Sequence, residues 1–286
     1  GPTLYYGLPH IPGWMLELEH GFRVVDVNAR LEPDADRRPR EGTGGPERLE
    51  REMHQAGIVR SVVYPTGRNE GYLKANNAVA RMSVGRPLVP LARITGALDP
   101  GQGAGAKVKN LATSRRGHHT SPEDVEQYAY DDRFEGFVLH PAHDGLPDEE
   151  VLSALADVEL PVLVHASREF PPSALARTIL PYDIQTILAS FGGYPLQQDL
   201  MAAAIELLSE FDTCYLDTSY VRFREPLERA LMEHPDRILF GSGAPSAHPN
   251  VAIMEILTLD VPEDAMRKVF SNNAARVLDE LAPRSF

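Results

Sequence analysis

The fold of this chain is indicated by one short stretch, Leu-Pro-Val-Leu-Val-His-Ala-Ser at residues 160–167. Its apolar run is led by a proline, is branched at Val162 and Val164, and ends abruptly at His165. Such a short run is typical of a strand that is buried on both faces, as strands of parallel sheets are. Side chains just past the carboxyl ends of parallel strands face the ligand crevice. The stretch therefore predicts a parallel sheet and places His165 where a functional site is expected.

Short apolar runs alternate with amphipathic stretches on both sides of this strand. The predicted strands are residues 22–27, 59–64, 88–94, 134–139, 160–167, 184–188, 215–217 and 237–240. The predicted helices run from Pro46 to a C-cap at Gly57, through residues 73–80, from an N-cap at Ser121, over 147–158, 196–208 and 225–233, and around Ile253, Val269 and Val277. Eight strands, each followed by a helix or a loop, are the count of a (β/α)₈ TIM barrel, which is an α/β fold. We expect residues 1–286 to form one such domain.

Three segments depart from this alternation. Residues 1–21 form an aromatic and proline-rich lead, and Gly1-Pro2 looks like a remnant of protease cleavage. Residues 32–46 carry charged residues, glycine and proline with almost nothing apolar, so they are expected to be exposed and mobile. Residues 95–120 are glycine-rich and too long for an ordinary connection. We interpret this last segment as a lid or a mobile loop.

Composition narrows the functional classes. The formal net charge of the 286 residues is -13 and the basic residues are scattered, which argues against nucleic-acid binding. No apolar run approaches the roughly 20 residues of a membrane span. The single cysteine, Cys214, excludes an internal disulfide and a cysteine-based zinc site. With no signal peptide at the start of the sequence, a cytoplasmic protein without a membrane association is expected.

Seven ordered motifs at or near the predicted strand ends form a recognisable set. They are Val-Asp-Val-Asn-Ala-Arg at 25–30, Gly-Phe-Val-Leu-His-Pro at 136–141, Pro-Val-Leu-Val-His at 161–165, Ala-Ser-Phe-Gly-Gly at 189–193, Tyr-Leu-Asp-Thr-Ser at 215–219, Arg-Ile-Leu-Phe-Gly-Ser at 237–242 and Asn-Ala-Ala-Arg at 273–276. Together they resemble the amidohydrolase superfamily, and within it the amidohydrolase-2 branch of hydrolases and decarboxylases. The resemblance covers about residues 22–281 and implies a barrel like that of the metal-dependent hydrolases. Relatives of this fold often dimerise, so a homodimer is possible.

The resemblance also implies a metal site, and the sequence departs from it. In that family a His-X-His pair ends the first strand, one histidine ends each of the fifth and sixth, an aspartate ends the eighth, and together they hold divalent metals that activate water. Here the corresponding residues are Asn28 and Arg30, His165, Ser190 and Gly243. A single imidazole cannot hold a catalytic zinc, which normally takes three protein ligands, and a nearby guanidinium opposes a cation. We expect no metal and no other cofactor, although a site rebuilt from His140, His143, Asp144, His165 and His248 is conceivable.

Three residues are the candidates for catalysis. His165 titrates near neutral pH and suits proton transfer, although a hydrogen-bonding role inherited from the family would equally explain its presence. Arg30 is expected inside the barrel mouth, where it needs either a structural carboxylate, with Asp26 the candidate, or an anionic ligand. Asp217 either orients the site or replaces the lost acid, or it has a purely structural role.

A second group of polar residues is predicted to bind the substrate. The group consists of Asn28, Tyr64, Arg93, His140, Arg168, Ser190, Tyr220 and Ser242. Arg168 is a candidate second anion clamp beside Arg30, whereas His140 also has a plausible structural role. No Gly-X-Ser-X-Gly motif accompanies the serines, and the glycines at 101–105 lack the Lys-Ser/Thr of a phosphate loop. Serine-hydrolase and nucleotide-binding functions are therefore not indicated.

Two functions remain from different classes. The first is a metal-independent enzyme that acts by acid–base chemistry on a small anionic or carbonyl-containing compound, through hydrolysis, decarboxylation, dehydration or cyclisation. The second is a non-catalytic barrel that binds a ligand or a partner protein. The polar character of Asn28, Arg30 and Ser190 favours the enzyme. An open polar pocket around His165 and Arg30 would support it, and a filled, dry barrel mouth would support the binding protein.

Overall fold

The computed structural model describes residues 18–34 and 43–284. Over these residues the strands are β1 (Val24–Leu31), β2 (Ile58–Pro65), β3 (Leu88–Pro90), β4 (Ala92–Arg93), β5 (Phe137–Leu139), β6 (Val162–His165), β7 (Thr186–Ala189), β8 (Cys214–Asp217) and β9 (Ile238–Leu239). The helices are α1 (Pro46–Ala56), α2 (Leu73–Ser83), α3 (Ala104–Leu111), α4 (Pro122–Tyr130), α5 (Pro141–Asp144), α6 (Glu149–Asp157), α7 (Pro172–Thr178), α8 (Gln198–Glu210), α9 (Arg224–Glu233), α10 (Pro249–Leu257), α11 (Glu263–Arg267) and α12 (Asn273–Val277).

All strand pairs are parallel and follow the order of the chain. One sheet has the order β1-β2-β3 and the other β4-β5-β6-β7-β8-β9. The two sheets meet at Leu91, whose N–H donates to Val63 O at 2.9 Å, whereas the N–H of Ala92 donates to Gly136 O at 2.9 Å. At the other junction Val27 N donates to Phe240 O at 2.9 Å. The predicted α/β fold with a parallel sheet is confirmed, and the third predicted strand is divided into β3 and β4.

Strand β6 shows how the chain is buried on both faces. Val162 and Val164 belong to the core between strands and helices, whereas Leu163 belongs to a second core that the inner faces of the strands share. Because side chains alternate along a strand, His165 lies on the same inner face as Leu163. The unbroken apolar run thus contributes side chains to both cores. His165, which follows this run, lies at the carboxyl-terminal end of the inner core.

Strand β1 contains an irregularity that positions two site residues. The β2 partners of Asp26 and Ala29 are two residues apart, although these residues themselves are three apart, so β1 holds one extra residue. Val27, the first residue of this bulge, faces the inner core. After it, Asn28 and Arg30 also face inward and line a cavity. The strand therefore extends to Leu31, beyond the predicted end at residue 27.

Several predicted segments need correction. Helix α7 (Pro172–Thr178) was not predicted, and residues 95–120 are not one uninterrupted loop, because they contain α3, which buries none of its residues. The glycine-rich composition around α3 masked a short helix-forming sequence. The lead at 1–21 falls outside the described residues up to residue 17, and so do residues 35–42 of the segment that was expected to be exposed and mobile over 32–46. In the described part of that segment the expected exposure is wrong for Glu32, which is buried in an ion pair with Arg68, and for residues 44–46, which are buried where α1 begins. Within residues 18–34 and 43–284, no helix has the length and apolarity needed to cross a membrane.

The inner core supports a stability prediction. Leu163 is 0% exposed in that core, so Leu163→Ala should lower the free energy of unfolding by about 2 to 5 kcal/mol through lost burial and the remaining void. Leu111→Ala is the matched control, because Leu111 is 88% exposed at the end of α3. Urea unfolding followed by circular dichroism measures both. Equal effects of the two substitutions would contradict the assignment of Leu163 to the core.

Candidate functional site

A small polar cavity lies at the carboxyl ends of the strands. Its volume is about 90 Å³. It is lined by Asn28, Arg30, Tyr64, Arg93, His140, His165, Ser190, Tyr194 and Tyr220. Eight of these nine residues belong to the predicted site, and Tyr194 is the addition. A larger groove of about 760 Å³ runs along α2, but no histidine is among its described lining residues. The smaller cavity is therefore the better candidate for proton transfer.

The floor of the cavity is a hydrogen-bonded chain centred on Asn28. Tyr64 Oη donates to Asn28 Oδ1 at 2.6 Å, and Asn28 Nδ2 donates to Asp217 Oδ2 at 2.9 Å. Tyr64 Oη also lies 3.0 Å from His165 Nε2. Since the phenol proton is directed to Asn28, His165 Nε2–H donates to the phenol oxygen. The proton acceptor of the neutral His165 ring is then Nδ1.

A second chain joins the cavity to the same carboxylate. Ser190 Oγ lies 3.1 Å from Ser219 Oγ, and the Ser219 hydroxyl donates to Asp217 Oδ1. The backbone N–H of Ser219 donates to the same oxygen at 2.7 Å. Asp217 is 0% exposed and does not line the cavity. Its predicted catalytic role would have to act through neighbouring side chains.

Arg30 enters the cavity beside two hydroxyl groups. Its guanidinium donates to Tyr220 Oη at 3.3 Å and to Ser246 Oγ at 2.9 Å. Tyr220 Oη in turn donates to the backbone carbonyl of Gly243 at 2.5 Å. A Cβ atom at Gly243 would lie 2.4 Å from Tyr220 Cε2, so the tyrosine ring fills the space that a side chain at 243 would need. Tyr220 can take this position only because residue 243 is glycine.

The second cation of the cavity, Arg93, is held by a buried ion pair. Arg93 Nε lies 2.7 Å from Asp144 Oδ2, and the two side chains are 4% and 1% exposed. Arg93 also donates to Pro65 O at 3.1 Å and lies over the Tyr72 ring, 4.9 Å from its centroid. Its charge is thus compensated by the protein, whereas no carboxylate among the described residues pairs with Arg30.

The two cavity histidines are held neutral. Burial lowers the pKa of His140 to about 4, with the charge of Arg93 adding to the effect. Burial also keeps the pKa of His165 well below its ordinary value, and His140, Arg93 and Arg30 act in the same direction. Their rings stack with centroids 4.9 Å apart. A negative charge beside Arg30 would offset part of this positive field and favour a protonated His165.

Two buried carboxyl groups near the cavity have raised pKa values, in contrast to the lowered pKa values of the two histidines. Burial raises the pKa of Asp26 to about 7 and that of Asp217 to about 6, although hydrogen bonds from Ser242 and Ser219, respectively, oppose the shift. Both groups are 0% exposed. Two carboxyls that change their protonation close to neutral pH therefore lie beneath the site.

Three predicted residues lie elsewhere. The Arg168 guanidinium is 3.1 Å from Asp199 in an ion pair whose side chains are 61% and 62% exposed, so Arg168 is not a cavity anion clamp in this structure. Asp26 is not the partner of Arg30; instead it accepts hydrogen bonds from the backbone N–H of Ser242, at 2.8 Å, and from the Ser242 hydroxyl. Ser242 is accordingly committed to Asp26 and does not line the cavity.

Sequence reasoning missed several residues that the fold brings to the site. Tyr194 lines the cavity with its ring centroid 5.3 Å from that of Tyr220. The contacts by which Ser219, the last residue of the 215–219 motif, joins Ser190 to Asp217 were also not foreseen. His143 had been weighed only as a metal ligand, but its Nδ1 lies 2.6 Å from Asp144 Oδ1, beside the cavity histidine His140. A histidine next to an aspartate was the only local signal for this last pair.

Whether the site can hold a metal ion depends on how its donor side chains are grouped. Over the described ranges, no three His, Cys, Asp or Glu side chains are grouped so that they could hold a metal ion. The His140 ring stacks on that of His165 with centroids 4.9 Å apart, and the His143 ring meets His140 edge-on with centroids 5.8 Å apart. The rebuilt metal site considered from the sequence is therefore not formed in this arrangement.

Comparisons with known proteins agree on the type of fold. A family model described as Amidohydrolase matches residues 35–279. An uncharacterized TIM-barrel protein from Bordetella bronchiseptica is 18% identical, with a TM-score of 0.62 over 91% of this chain and 99% of that one. The 2,6-dihydroxybenzoate decarboxylase from Rhizobium is 14% identical, with a TM-score of 0.60 over 90% and 98%. The 5-carboxyvanillate decarboxylase from Sphingomonas paucimobilis is 16% identical, with a TM-score of 0.60 over 90% and 99%.

These likenesses to solved structures show the TIM-barrel fold that the sequence predicted. At such identities they do not transfer an activity. No curated protein matches the sequence of this chain.

The raised pKa of Asp26 predicts a pH-dependent stability. The unfolded-state pKa of an aspartate is about 3.9, so this carboxyl contributes stability that is complete below about pH 4 and is lost as pH rises through about 7. Asp26→Asn removes this titrating group. Between about pH 4 and about pH 7 the unfolding free energy of the variant should therefore fall less than that of the wild type. Urea unfolding at a series of pH values tests this. The exposed Asp212→Asn should show the same pH dependence of the unfolding free energy as the wild type. If Asp26→Asn also shows the wild-type pH dependence, the raised pKa assigned to Asp26 is contradicted.

Proposed function

The chain belongs to the amidohydrolase family, and from that premise we propose that it is an enzyme acting on a small carboxylate or a related anionic carbonyl compound. The observation that carries the proposal is the environment of Arg30. Its guanidinium faces the cavity with only hydroxyl groups as side-chain partners among the described residues.

The charge balance of the cavity favours an anionic ligand. Among the described residues two guanidinium groups line it, no aspartate or glutamate does, and of the two arginines only Arg93 is paired with a carboxylate. A largely buried cation without a counterion is unfavourable, so a ligand carboxylate beside Arg30 would complete its interactions. Arg93 thus takes the role of second cation that the sequence analysis had assigned to Arg168.

The proton-transfer group of the proposal is His165. Its Nε2–H is engaged with Tyr64, which leaves Nδ1 of the neutral ring to accept a proton. The anion that neutralises Arg30 also raises the affinity of His165 for that proton, because Arg30 contributes to its lowered pKa. Substrate binding and protonation of the catalytic group are therefore coupled. Arg30 and Arg93 stabilise the negative charge that develops on the substrate.

The substrate class is narrowed by the cavity and by the structural neighbours. A volume of about 90 Å³ admits a compact molecule, and the phenol rings of Tyr64, Tyr194 and Tyr220 offer aromatic edges and hydroxyl groups. Two neighbours are decarboxylases of substituted benzoates. Decarboxylation of a small aromatic acid is the first reaction to test. In this reaction the carboxylate leaves as CO₂ and a proton takes its place on the ring carbon.

We further propose that this reaction needs no metal. Of the residues at the family's metal positions only His165 has a ring nitrogen available, and one imidazole does not supply the three protein ligands that a catalytic zinc normally takes. The polar side-chain or carbonyl atoms of the others are engaged in hydrogen bonds within the protein. Asn28 is bonded at both its amide oxygen and its amide nitrogen, Ser190 is bonded to Ser219, and the carbonyl of Gly243 accepts from Tyr220. Arg30 adds a positive charge at the same place, which opposes a cation.

A non-catalytic barrel would share the fold and the cavity. What supports catalysis over simple binding is that the cavity places an imidazole with a free ring nitrogen beside two cations, the arrangement that acid–base chemistry on an anion requires. A protein that binds the acids described below without converting any of them would instead belong to the binding class.

Removal of the Arg30 charge should weaken anion binding. Arg30→Met keeps much of the side-chain volume but removes the charged hydrogen bonds, so the Kd for 2,6-dihydroxybenzoate should rise by about tenfold or more in isothermal titration calorimetry. Arg168→Met is the matched control, because this arginine is paired with Asp199 outside the cavity, and its Kd should equal that of the wild type. The reverse ranking of the two variants would refute the assigned anion site.

The proposal of metal-free chemistry has its own test. The purified enzyme should contain far less than one equivalent of zinc, manganese or iron by plasma mass spectrometry. Release of CO₂ from a panel of hydroxybenzoates should be unchanged after treatment with EDTA. Stoichiometric metal together with loss of activity in EDTA would overturn this part of the proposal.

A further inference from the structure

We propose that Ser190 and Ser219 form a proton relay that connects the cavity to the buried carboxylate of Asp217. The relay deepens the proposed function, on which its catalytic meaning rests, because it provides a second group that exchanges protons with the substrate. His165 and Asp217 would then serve the cavity from two sides.

The hydrogen bonds of the relay can run in only one direction when Asp217 is ionised. The Ser219 hydroxyl has a single proton, which it donates to Asp217 Oδ1. Ser219 Oγ must therefore be the acceptor in its 3.1 Å contact with Ser190 Oγ. Ser190 donates to Ser219, and its own oxygen retains lone pairs that can accept a proton from a group in the cavity. Both hydroxyl protons are directed toward the carboxylate.

No other hydrogen-bond donor to this carboxylate is suited to pass a proton. Within the described residues its other donors are the backbone N–H groups of Ser190 and Ser219 and the amide of Asn28. An amide N–H gives up its proton far less readily than a hydroxyl group, which can release one proton while it accepts another. Because Asp217 is 0% exposed, the two serine hydroxyls are its route to the cavity.

The local backbone holds the relay in place. Ser190 has a φ of 53°, in the left-handed region that non-glycine residues rarely adopt. This turn follows directly after β7 and places Ser190 in the cavity lining with its side chain toward Ser219. At the other end, a Cβ atom at Gly241 would lie 2.7 Å from Asp217 Oδ1, so the glycine lets the backbone pack closely against the carboxylate. Strain and close packing of this kind often occur at functional sites.

Proton transfer through the relay is balanced. A substrate X–H group gives its proton to Ser190 Oγ, Ser190 gives its original proton to Ser219 Oγ, and Ser219 gives its original proton to Asp217. Three bonds to hydrogen break and three form. The substrate keeps the electron pair as X⁻ beside Arg30, both serines are restored, and Asp217 becomes neutral. The reverse sequence delivers a proton to the substrate. The raised pKa of Asp217, about 6, lets it hold and release a proton near neutral pH.

The relay can be tested without any substrate. Infrared difference spectroscopy detects the C=O stretch of a protonated buried carboxyl group, and the loss of a band in Asp217→Asn assigns it. After a jump from about pH 8 to about pH 5, which spans the ordinary range of a raised carboxyl pKa, the growth of this band gives the protonation rate. In Ser190→Ala and in Ser219→Ala the rate should fall by about tenfold or more, because a hydroxyl step is missing.

The equilibrium of the same band separates a relay from a structural role. The Ser190 hydroxyl does not contact the carboxylate, so Ser190→Ala should slow protonation and leave the midpoint pH unchanged, whereas Ser219→Ala should also raise the midpoint. Ser61→Ala is the matched control, since Ser61 is a buried serine of β2 outside the relay, and its rate should equal that of the wild type. A wild-type rate in Ser190→Ala would overturn the relay. Because no ligand is used, this result is independent of the anion-binding test with Arg30→Met.

Discussion

The geometry of the site depends on the extra residue in β1. In a regular strand the alternation of side chains would separate the inward-facing Val27 from Asn28 and Arg30, which would point to the helices. The bulge reverses the alternation between Asp26 and Ala29, so that the strand contributes apolar side chains to the inner core below and polar side chains to the cavity above. It also turns Asp26 away from Arg30 and toward Ser242. Among the described residues, Arg30 is thereby left without a carboxylate partner.

Once Asn28 faces inward, it organises the floor of the site. Its amide is both an acceptor and a donor, and it joins the phenol of Tyr64 to the carboxylate of Asp217. This fixes the direction of the Tyr64 hydroxyl, and through it the tautomer of His165. A carboxylate at residue 28 could not supply both kinds of hydrogen bond, because it only accepts them. Asn28 thus connects the side chains of the cavity floor to one another.

A tyrosine ring fills the space beside Gly243. The ring of Tyr220 occupies the volume that a side chain at 243 would need, and its hydroxyl bridges the glycine carbonyl and Arg30. Burial lowers the pKa of His165, with the charges of Arg93 and Arg30 adding to the effect, and so keeps the ring neutral, whereas burial raises the pKa of Asp217 to about 6. The electrostatics of the cavity therefore suit an anionic ligand and proton exchange, which are the two elements of the proposed chemistry.

The sequence by itself determined the parallel α/β fold and most of the cavity lining, because short doubly buried strands have a strong pattern and their carboxyl ends converge in this fold. It indicated His165, Arg30, Asn28 and Tyr64 without their mutual contacts. Only the tertiary structure decided that Arg168 pairs with Asp199 at the surface, that Asp26 accepts hydrogen bonds from Ser242, that Tyr194 lines the cavity and that Ser219 joins Ser190 to Asp217. Three of these features depend on contacts between residues far apart in the chain: the one-residue bulge, the left-handed turn and the ring packed against a glycine. Local sequence patterns do not predict such contacts.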